Sequence, residues 1–439
     1  MSATALARYL HRHIEPDLPE APAGSKPWQH VLVIPAYNES PLLLEKLTSN
    51  LASAERTLCI LVLNRPESEP NPHCNQALRE SVHQRSDTQE NNPPLVALTD
   101  TVDLFLLDLE MQRGPTPDSQ GVGLARKTGC DLALYWQSLG HIHSEWICSS
   151  DADAELPRDY FRRLALTPDK TVAAVFPFMH VAGADVQTDE ATALYELWLH
   201  YYVLGLSYAS SPYAYHTLGS CIAIRRDCYA QVRGYPKRAG GEDFYLLNKA
   251  AKTGPVARLE GECIALESRI STRVPFGTGP AVAKIMVGGD WEEQAMFYHP
   301  DSFEALRIWL NAMPGLFSTE LDELPQRLEE QGLSQPLAQD SYQALMQLGV
   351  REALAHCRRQ GKSQAQFERQ FHQWFDGFRT LKFLHSLRQA GWKDQSLKAL
   401  SATQPDLWPV SPHQQQNIYS LRAALCEHWG WTNQEPPHY

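Results

Sequence analysis

Short apolar runs alternate with helix-like segments through the first half of the chain, and this alternation most constrains the fold. The runs cover residues 31–34, 58–63, 104–109 and 146–148. Continuous apolar runs of this length are typical of strands buried on both faces of a parallel sheet. Helices are expected between them, at residues 41–54, 121–139 and 158–164. The sequence therefore predicts an α/β fold with a mostly parallel sheet flanked by helices.

The second half of the chain changes character. Short strands are expected at 171–176, 221–224, 256–259 and 263–266, with helices at 190–209, 227–232 and 242–252. From residue 301 onward the pattern is almost wholly helical. Residues 64–98 are polar and are expected to be an insertion with one helix at 75–84. We predict three parts: an N-terminal arm and linker (1–28), an α/β domain (29–295) and an all-helical C-terminal domain (296–439).

Composition narrows the class of protein. The 439 residues carry a formal net charge of −12, which argues against a nucleic-acid binder with a broad basic surface. Nine cysteines without a Cys-x-x-Cys pair, and a first segment unlike a signal peptide, favour the reducing cytoplasm. Residues 191–209 are the best candidate for a membrane span, but Glu196 and His200 favour a buried or groove-lining helix. No transmembrane segment is expected.

An acidic turn, Asp151-Ala152-Asp153, follows the apolar run that ends at Cys148. Ligands in open α/β sheets bind at the carboxyl ends of strands. Two carboxylates one residue apart at that position suit a hard cation such as Mg²⁺ or Mn²⁺, with phosphate completing the coordination shell. The alternative is a solvated turn, because aspartate favours turns.

Four further segments carry polar groups suited to a ligand. The run Pro35-Ala36-Tyr37-Asn38-Glu39 follows the first apolar strand, where Pro35 is expected to end the strand so that Tyr37 and Glu39 can face a flat ligand. Gly240-Gly241-Glu242-Asp243 pairs two carboxylates at a helix start, where they can supply a general base or can simply stabilise the helix end.

The remaining two segments are basic. Gly121-Val122-Gly123 precedes Arg126 and Lys127, and a glycine-rich helix start favours anions. Arg269 and Arg273 lie four residues apart among hydroxyls and glycines, a pattern that suits a phosphate-clamping loop. A plain surface loop is the alternative interpretation of that second segment.

Together and in this order, three of these motifs resemble a glycosyltransferase of the GT-A fold, family 2. They are Val-Ile-Pro-Ala-Tyr-Asn-Glu at 33–39, Asp-Ala-Asp at 151–153 and Gly-Glu-Asp-x-x-Leu at 241–246, and the resemblance covers about residues 29–280. It implies a nucleotide-sugar donor, a Mg²⁺ or Mn²⁺ ion and inverting, single-displacement transfer to an acceptor hydroxyl.

The resemblance also implies residue roles. Asp151 and Asp153 would surround the metal, and Asp243 would be the base, with Glu242 as the second candidate. The donor-binding residues would be Pro35, Ala36, Tyr37, Glu39, Asn64, Arg126, Lys127, Asp151, Arg269 and Arg273.

Some features depart from the family pattern. Asn64 stands where acidic residues often follow the second strand, and the Gln-x-x-Arg-Trp signature of processive synthases is absent. The helix at Arg126 is also similar to that of retaining enzymes that glycosylate small acids such as glycerate, and His216 is a candidate for the acceptor pocket. A non-catalytic nucleotide-sugar-binding module is a third possibility. The acceptor, whether a small molecule, a glycan or a lipid-linked group, stays open.

Overall fold

The computed structural model describes residues 2–51, 55–86, 95–183, 185–270, 277–291, 293–403, 406–410 and 417–432. The chain packs as two compact units. The first holds residues 1–192, 217–283 and 429–439, and the second holds 193–216 and 284–428. The domain boundaries predicted from the sequence stay a prediction.

Strands and helices alternate in the first unit. Its elements are α1 (Ser2–Arg12), β1 (His30–Ala36), α2 (Leu43–Asn50), β2 (Thr57–Leu63), α3 (Gln76–Gln84), β3 (Leu95–Ala97), β4 (Val102–Asp108), α4 (Leu109–Arg113), α5 (Gly121–Ser138), β5 (Trp146–Ser149), α6 (Tyr160–Ala165), β6 (Ala173–Val175), β7 (Phe178–Val181), the start of α7 (Val186–Tyr208), β8 (Ile222–Arg225), α8 (Arg226–Gln231), α9 (Glu242–Ala250), β9 (Val256–Arg258), β10 (Gly261–Glu262), β11 (Ile264–Glu267) and most of α10 (Thr278–Val287). Near the chain end, the short strand β12 (Trp431–Thr432) also belongs to this unit.

Eight strands form one sheet in the order β3-β4-β2-β1-β5-β8-β6-β9. Four of its seven pairings are parallel: β1 with β2, β1 with β5, β2 with β4, and β6 with β9. All seven residues of β2 are buried, as expected for a central strand covered on both faces. The α/β fold with a mostly parallel sheet flanked by helices is therefore confirmed.

The sheet reverses its winding direction at β1. From β1 the chain builds outward through β2 to β4, and then returns to place β5 on the other side of β1. At such a reversal, the segments that leave the carboxyl ends of the two strands diverge and open a crevice. Because Val33 pairs with Ser149, the segments after Ala36 and after Ser149 emerge at the same edge.

Helix α5 covers the centre of this sheet at very short range. A Cβ atom on Gly129 would lie 2.5 Å from Cγ1 of Val33 and 2.7 Å from Cγ2 of Val62. Glycine therefore permits α5 to lie directly on β1 and β2. This close packing fixes the position of Arg126, one turn nearer the start of the same helix.

A buried polar cluster joins α1 to α5. Asp131, fully buried, accepts hydrogen bonds from the hydroxyls of Tyr9 (2.6 Å) and Tyr229 (2.8 Å) and from the ammonium of Lys127 (2.8 Å). The backbone N–H of Glu15 supplies a further bond at 2.8 Å. The predicted N-terminal arm is thus packed against the α/β unit by specific polar contacts.

The second unit is helical in its described residues. Its elements are the rest of α7, the end of α10, α11 (Pro300–Ala312), α12 (Leu324–Glu330), α13 (Gln335–Gln347), α14 (Val350–Gln360), α15 (Gln364–Trp374), α16 (Gly377–Ala390), α17 (Leu397–Thr403) and α18 (Ile418–His428). Aromatic rings fill its core, where Trp309 contacts Phe371 and Phe375 at centroid distances of 6.0 and 5.6 Å. The predicted helical C-terminal region is confirmed.

Several short elements differ from the expectations. β3 lies within the predicted insertion, β7 follows β6 directly, and β12 pairs with β10 although the chain end was expected to be helical. These strands have two to four residues, too few for a period to be visible in the sequence. No helix among the described residues has both the length and the apolar character that a bilayer crossing requires.

Replacing Asp131 with alanine should strongly destabilise the protein. The change leaves the buried Lys127 ammonium without its carboxylate, and breaking a buried ion pair in this way costs about 3–5 kcal/mol. Urea denaturation measures the free energy of unfolding. Asp100→Ala, an exposed aspartate before β4, is the matched control and should change it by less than about 0.5 kcal/mol. Equal effects of the two substitutions would contradict the role of the cluster.

Candidate active site

One buried guanidinium, that of Arg126, connects three of the predicted motifs. Its side chain is 3% exposed. Nη1 donates to the Ser149 hydroxyl at 2.7 Å, Nε donates to Oε1 of Glu242 at 2.9 Å, and Nη2 donates to Oδ1 of Asp151. The acidic turn after β5 and the paired carboxylates at the start of α9 are therefore both held by the same cation.

Arg126 remains positively charged in this position. Burial acts to lower its pKa, but the negative charges of Asp151 and Glu242 outweigh that effect, and the pKa lies above its usual value. Space around the guanidinium is tight, because a Cβ atom on Gly219 would lie 2.4 Å from Nη2. A glycine at that position leaves room for the side chain to reach both carboxylates.

A second arginine closes the other side of the acidic turn. Nη2 of Arg269 lies 2.6 Å from Oδ2 of Asp153 and 3.9 Å from Oε1 of Glu39. Backbone pairing positions it: Glu155 and Ala265 exchange hydrogen bonds of 2.8 and 3.0 Å, which brings the end of β11 beside the turn. The structure thus brings together Glu39 from the first motif, Asp153 from the second and Arg269 from the basic segment.

Burial and neighbouring negative charges raise the pKa of one carboxyl group in the acidic turn. Burial raises the pKa of Asp153, and the negative charges of Asp151 and Glu39 raise it further, while Arg269 opposes the change. Carboxylates held this close favour any bound cation that relieves their repulsion. Asp151 and Asp153, with side chains 39% and 20% exposed, both remain reachable from solvent.

Glu242 and Asp243 lie side by side but in different environments. Gly241 precedes α9 in the left-handed conformation (φ 68°), and the helix then directs Glu242 inward to Arg126, where it is 4% exposed. Asp243 remains half-buried, and its Oδ1 accepts from the Phe244 N–H at 2.6 Å. Burial, and then the charge of Glu242, raise the pKa of Asp243 to about 7. Asp243 therefore has the proton affinity suited to a base at neutral pH.

A buried amide that the sequence analysis missed, Asn75, organises the segment after β1. Its Oδ1 accepts from the N–H of Asn38 at 2.9 Å, and its Nδ2 donates to the carbonyl of Asn64 at 3.0 Å. Asn38 adopts φ 54°, a left-handed conformation that asparagine tolerates. The hydroxyl of Tyr37 donates to Glu69. Asn75 directly precedes α3 but its side chain makes no capping hydrogen bond there, and its sequence position gave no signal of these longer-range contacts.

Some predicted site residues lie elsewhere or have other partners. β1 does not end at Pro35, because Pro35 and Ala36 pair with Val62 and Leu63, and Ala36 is 2% exposed. The ammonium of Lys127 contacts Asp131 and the Tyr9 hydroxyl (2.6 Å) in the buried polar cluster that joins α1 to α5.

Gly121 and Gly123 allow another segment of the protein's own backbone to approach α5 closely. A Cβ atom on Gly121 would lie 2.9 Å from Cα of Ala239, and one on Gly123 would lie 2.5 Å from the Pro236 carbonyl. Arg273 lies outside the described residues. His216 belongs to the second unit, where its ring lies 5.1 Å from that of His200.

Comparison with known proteins gives matches in structure but not in sequence. No protein-family model matches the chain, and no curated protein matches it. The mannosyltransferase PcManGT from Pyrobaculum calidifontis, solved in complex with GDP-Man and Mn²⁺, has 17% identity and a TM-score of 0.35 over 84% of this chain and 94% of its own.

Two further solved structures are similar at the same level. TarS from S. aureus has 14% identity and a TM-score of 0.34 over 77% of this chain and 54% of its own. The bifunctional glycosyltransferase WbbM has 9% identity and a TM-score of 0.28 over 55% of this chain and 41% of its own. Identities and TM-scores this low support no inference about function.

Arg126→Lys should destabilise the protein although it keeps the charge. A single ammonium cannot reach Ser149, Asp151 and Glu242 together, so the buried Glu242 loses its close partner at a cost of about 3 kcal/mol. Chemical denaturation measures the loss. Arg225→Lys is the control, since its carboxylate partner Glu145 is 57% exposed, and an exposed pair contributes less than about 1 kcal/mol. An unchanged stability in Arg126→Lys would show that the guanidinium does not hold the two motifs.

Proposed function

We propose that the chain is a metal-dependent glycosyltransferase of the GT-A type, similar to family 2, which transfers a sugar such as a hexose from a nucleotide-sugar donor to an acceptor hydroxyl. One observation carries the proposal: Arg126 links Asp151 to Glu242, so that the acidic turn and a carboxylate with a pKa of about 7 converge at the reversal point of the sheet. Ligand sites of open α/β sheets lie at that point.

The residues around the acidic turn fit a divalent cation. Glu39, Asp151, Asp153, Glu242 and Asp243 supply five carboxylates against the guanidiniums of Arg126 and Arg269. An anionic diphosphate would be repelled by the excess of negative charge among these seven residues. A Mg²⁺ or Mn²⁺ ion held by Asp151 and Asp153 would stabilise the negative charge that develops on the leaving diphosphate.

Asp243 is the proposed catalytic base. In a single displacement, the acceptor oxygen forms a bond to the anomeric carbon, the bond from that carbon to the diphosphate breaks, and the hydroxyl proton passes to Asp243. Inversion at the anomeric carbon follows from one direct displacement. Glu242 is bound to Arg126 and buried, so its proposed part is to position that arginine and to raise the pKa of Asp243 by its charge.

The donor nucleoside is proposed to lie over the segment after β1. Tyr37 and Glu39 are partly exposed there, and Asn64 at the end of β2 is connected to the same segment through Asn75. Arg269 is proposed to contact the donor phosphates, since it is 33% exposed at the edge of the acidic turn. We further propose a cytoplasmic location, with residues 29–295 as the transferase domain and 296–439 as a helical domain.

Asp243→Asn should reduce the rate of sugar transfer by at least about 100-fold while leaving donor binding intact, because only the proton acceptor is lost. Transfer is measured by release of nucleoside diphosphate, and donor binding by the thermal shift that UDP-, GDP- or ADP-sugars produce with Mn²⁺. Asp227→Asn is the matched control, because Asp227 is likewise the second residue of its helix. No thermal shift of the unmodified protein with any donor would rule out the proposed function.

Transfer should rise with pH through about 7. The base must be ionised, and the raised pKa of Asp243 means that its carboxylate is protonated, and inactive, below that value. Glu242→Gln removes the neighbouring negative charge, so the pKa of Asp243 should fall and the acid limb of kcat/KM should move to lower pH. If the acid limb of kcat/KM lies at the same pH in this variant, the assignment of Asp243 as the base is contradicted.

A further inference from the structure

Two helices of the second unit place a carboxylate, an imidazole and a thiol side by side. Glu196 and His200 lie four residues apart on α7 and so occupy one face of that helix, and Cys426 lies on α18. One oxygen, one nitrogen and one sulfur of these residues all lie within 4.8 Å of one another. None of the three belongs to the acidic turn or to the elements around Arg126.

The three groups are far from solvent. Glu196 and His200 are 0% exposed and Cys426 is 4% exposed. Burying an ionised carboxylate is costly unless a cation accompanies it. Arg422, one turn before Cys426 on α18, has its Nε 3.7 Å from Oε1 of Glu196, and Nε2 of His200 lies 3.8 Å from the same oxygen.

The donor set suits zinc. Zinc binds cysteine sulfur, histidine nitrogen and carboxylate oxygen, with bond lengths of about 2.0 to 2.3 Å. Tetrahedral geometry then requires ligand atoms roughly 3.3 to 3.8 Å apart, so the observed cluster needs only a small contraction. A divalent ion offsets the negative charges of one carboxylate and one thiolate at a buried position. Hard cations such as Mg²⁺ are disfavoured by the sulfur and nitrogen donors.

We infer that Glu196, His200 and Cys426 form a structural Zn²⁺ site that fastens α18 to α7 within the second unit. The His216 ring centroid lies 5.1 Å from that of His200, and His216 is 5% exposed. A structural zinc site contributes directly to folding stability. It is separate from the Mg²⁺ or Mn²⁺ proposed for Asp151 and Asp153, and it does not depend on the proposed transfer reaction.

Cobalt titration tests the site directly. Unmodified full-length protein is stripped with a chelator under reducing conditions and titrated with Co²⁺. A thiolate-to-cobalt charge-transfer band should appear and saturate at one Co²⁺ per chain, and Zn²⁺ should abolish it by displacement. Carboxylate ligands give no such band, so the signal reports a cysteine ligand.

Variants identify the cysteine. Cys426→Ser should eliminate the band, whereas Cys357→Ser, which removes another buried thiol of the same unit, should retain it. Zinc should raise the Tm of the stripped protein and of the Cys357→Ser variant but not that of Cys426→Ser. Absence of the band in the parent protein, or its persistence in Cys426→Ser, overturns the proposal. The cobalt titration of the unmodified protein tests the proposed zinc site even if a variant fails to fold.

Discussion

The candidate site depends on the burial of a single guanidinium. Arg126 on α5 lies against β5 and the start of α9, and the negative charges of Asp151 and Glu242 offset the cost of burying its charge. An isolated buried charge would be strongly unfavourable, and so would the buried carboxylate of Glu242 without the guanidinium. Because the same guanidinium also binds Asp151, it holds the acidic turn close to the two carboxylates of α9.

The two carboxylates of α9 show how adjacent residues acquire different chemistry. Successive residues of a helix point about 100° apart, so one side chain can face the core while the next faces the crevice. Glu242 turns inward and is committed to Arg126. Asp243 faces the more open side with a higher proton affinity than an ordinary aspartate. Its neighbour's charge is part of the cause, so the inward residue also tunes the outward one.

The sequence predicted the central strands well because each is a continuous apolar run, and the family resemblance implied that the acidic turn and the first motif serve the same ligand. It did not predict Asn75, whose contacts join segments 37 and 11 residues away. It also assigned Lys127 a ligand role from its type and position, although α5 directs that ammonium towards Asp131. The direction of a side chain around a helix, and its contacts with residues distant in sequence, depend on tertiary packing. The local sequence pattern does not encode that packing.

Arg126 and Lys127 are consecutive, and they connect α5 to two different places. Arg126 reaches the acidic turn, while Lys127 reaches Asp131, Tyr9 and the carbonyl of His13 at the end of α1. Two neighbouring residues of α5 therefore connect this helix to α1 on one side and to the candidate site on the other. Alterations to the first dozen residues, including fusion tags placed directly before α1, act on the framework of the site although they lie outside every recognisable motif.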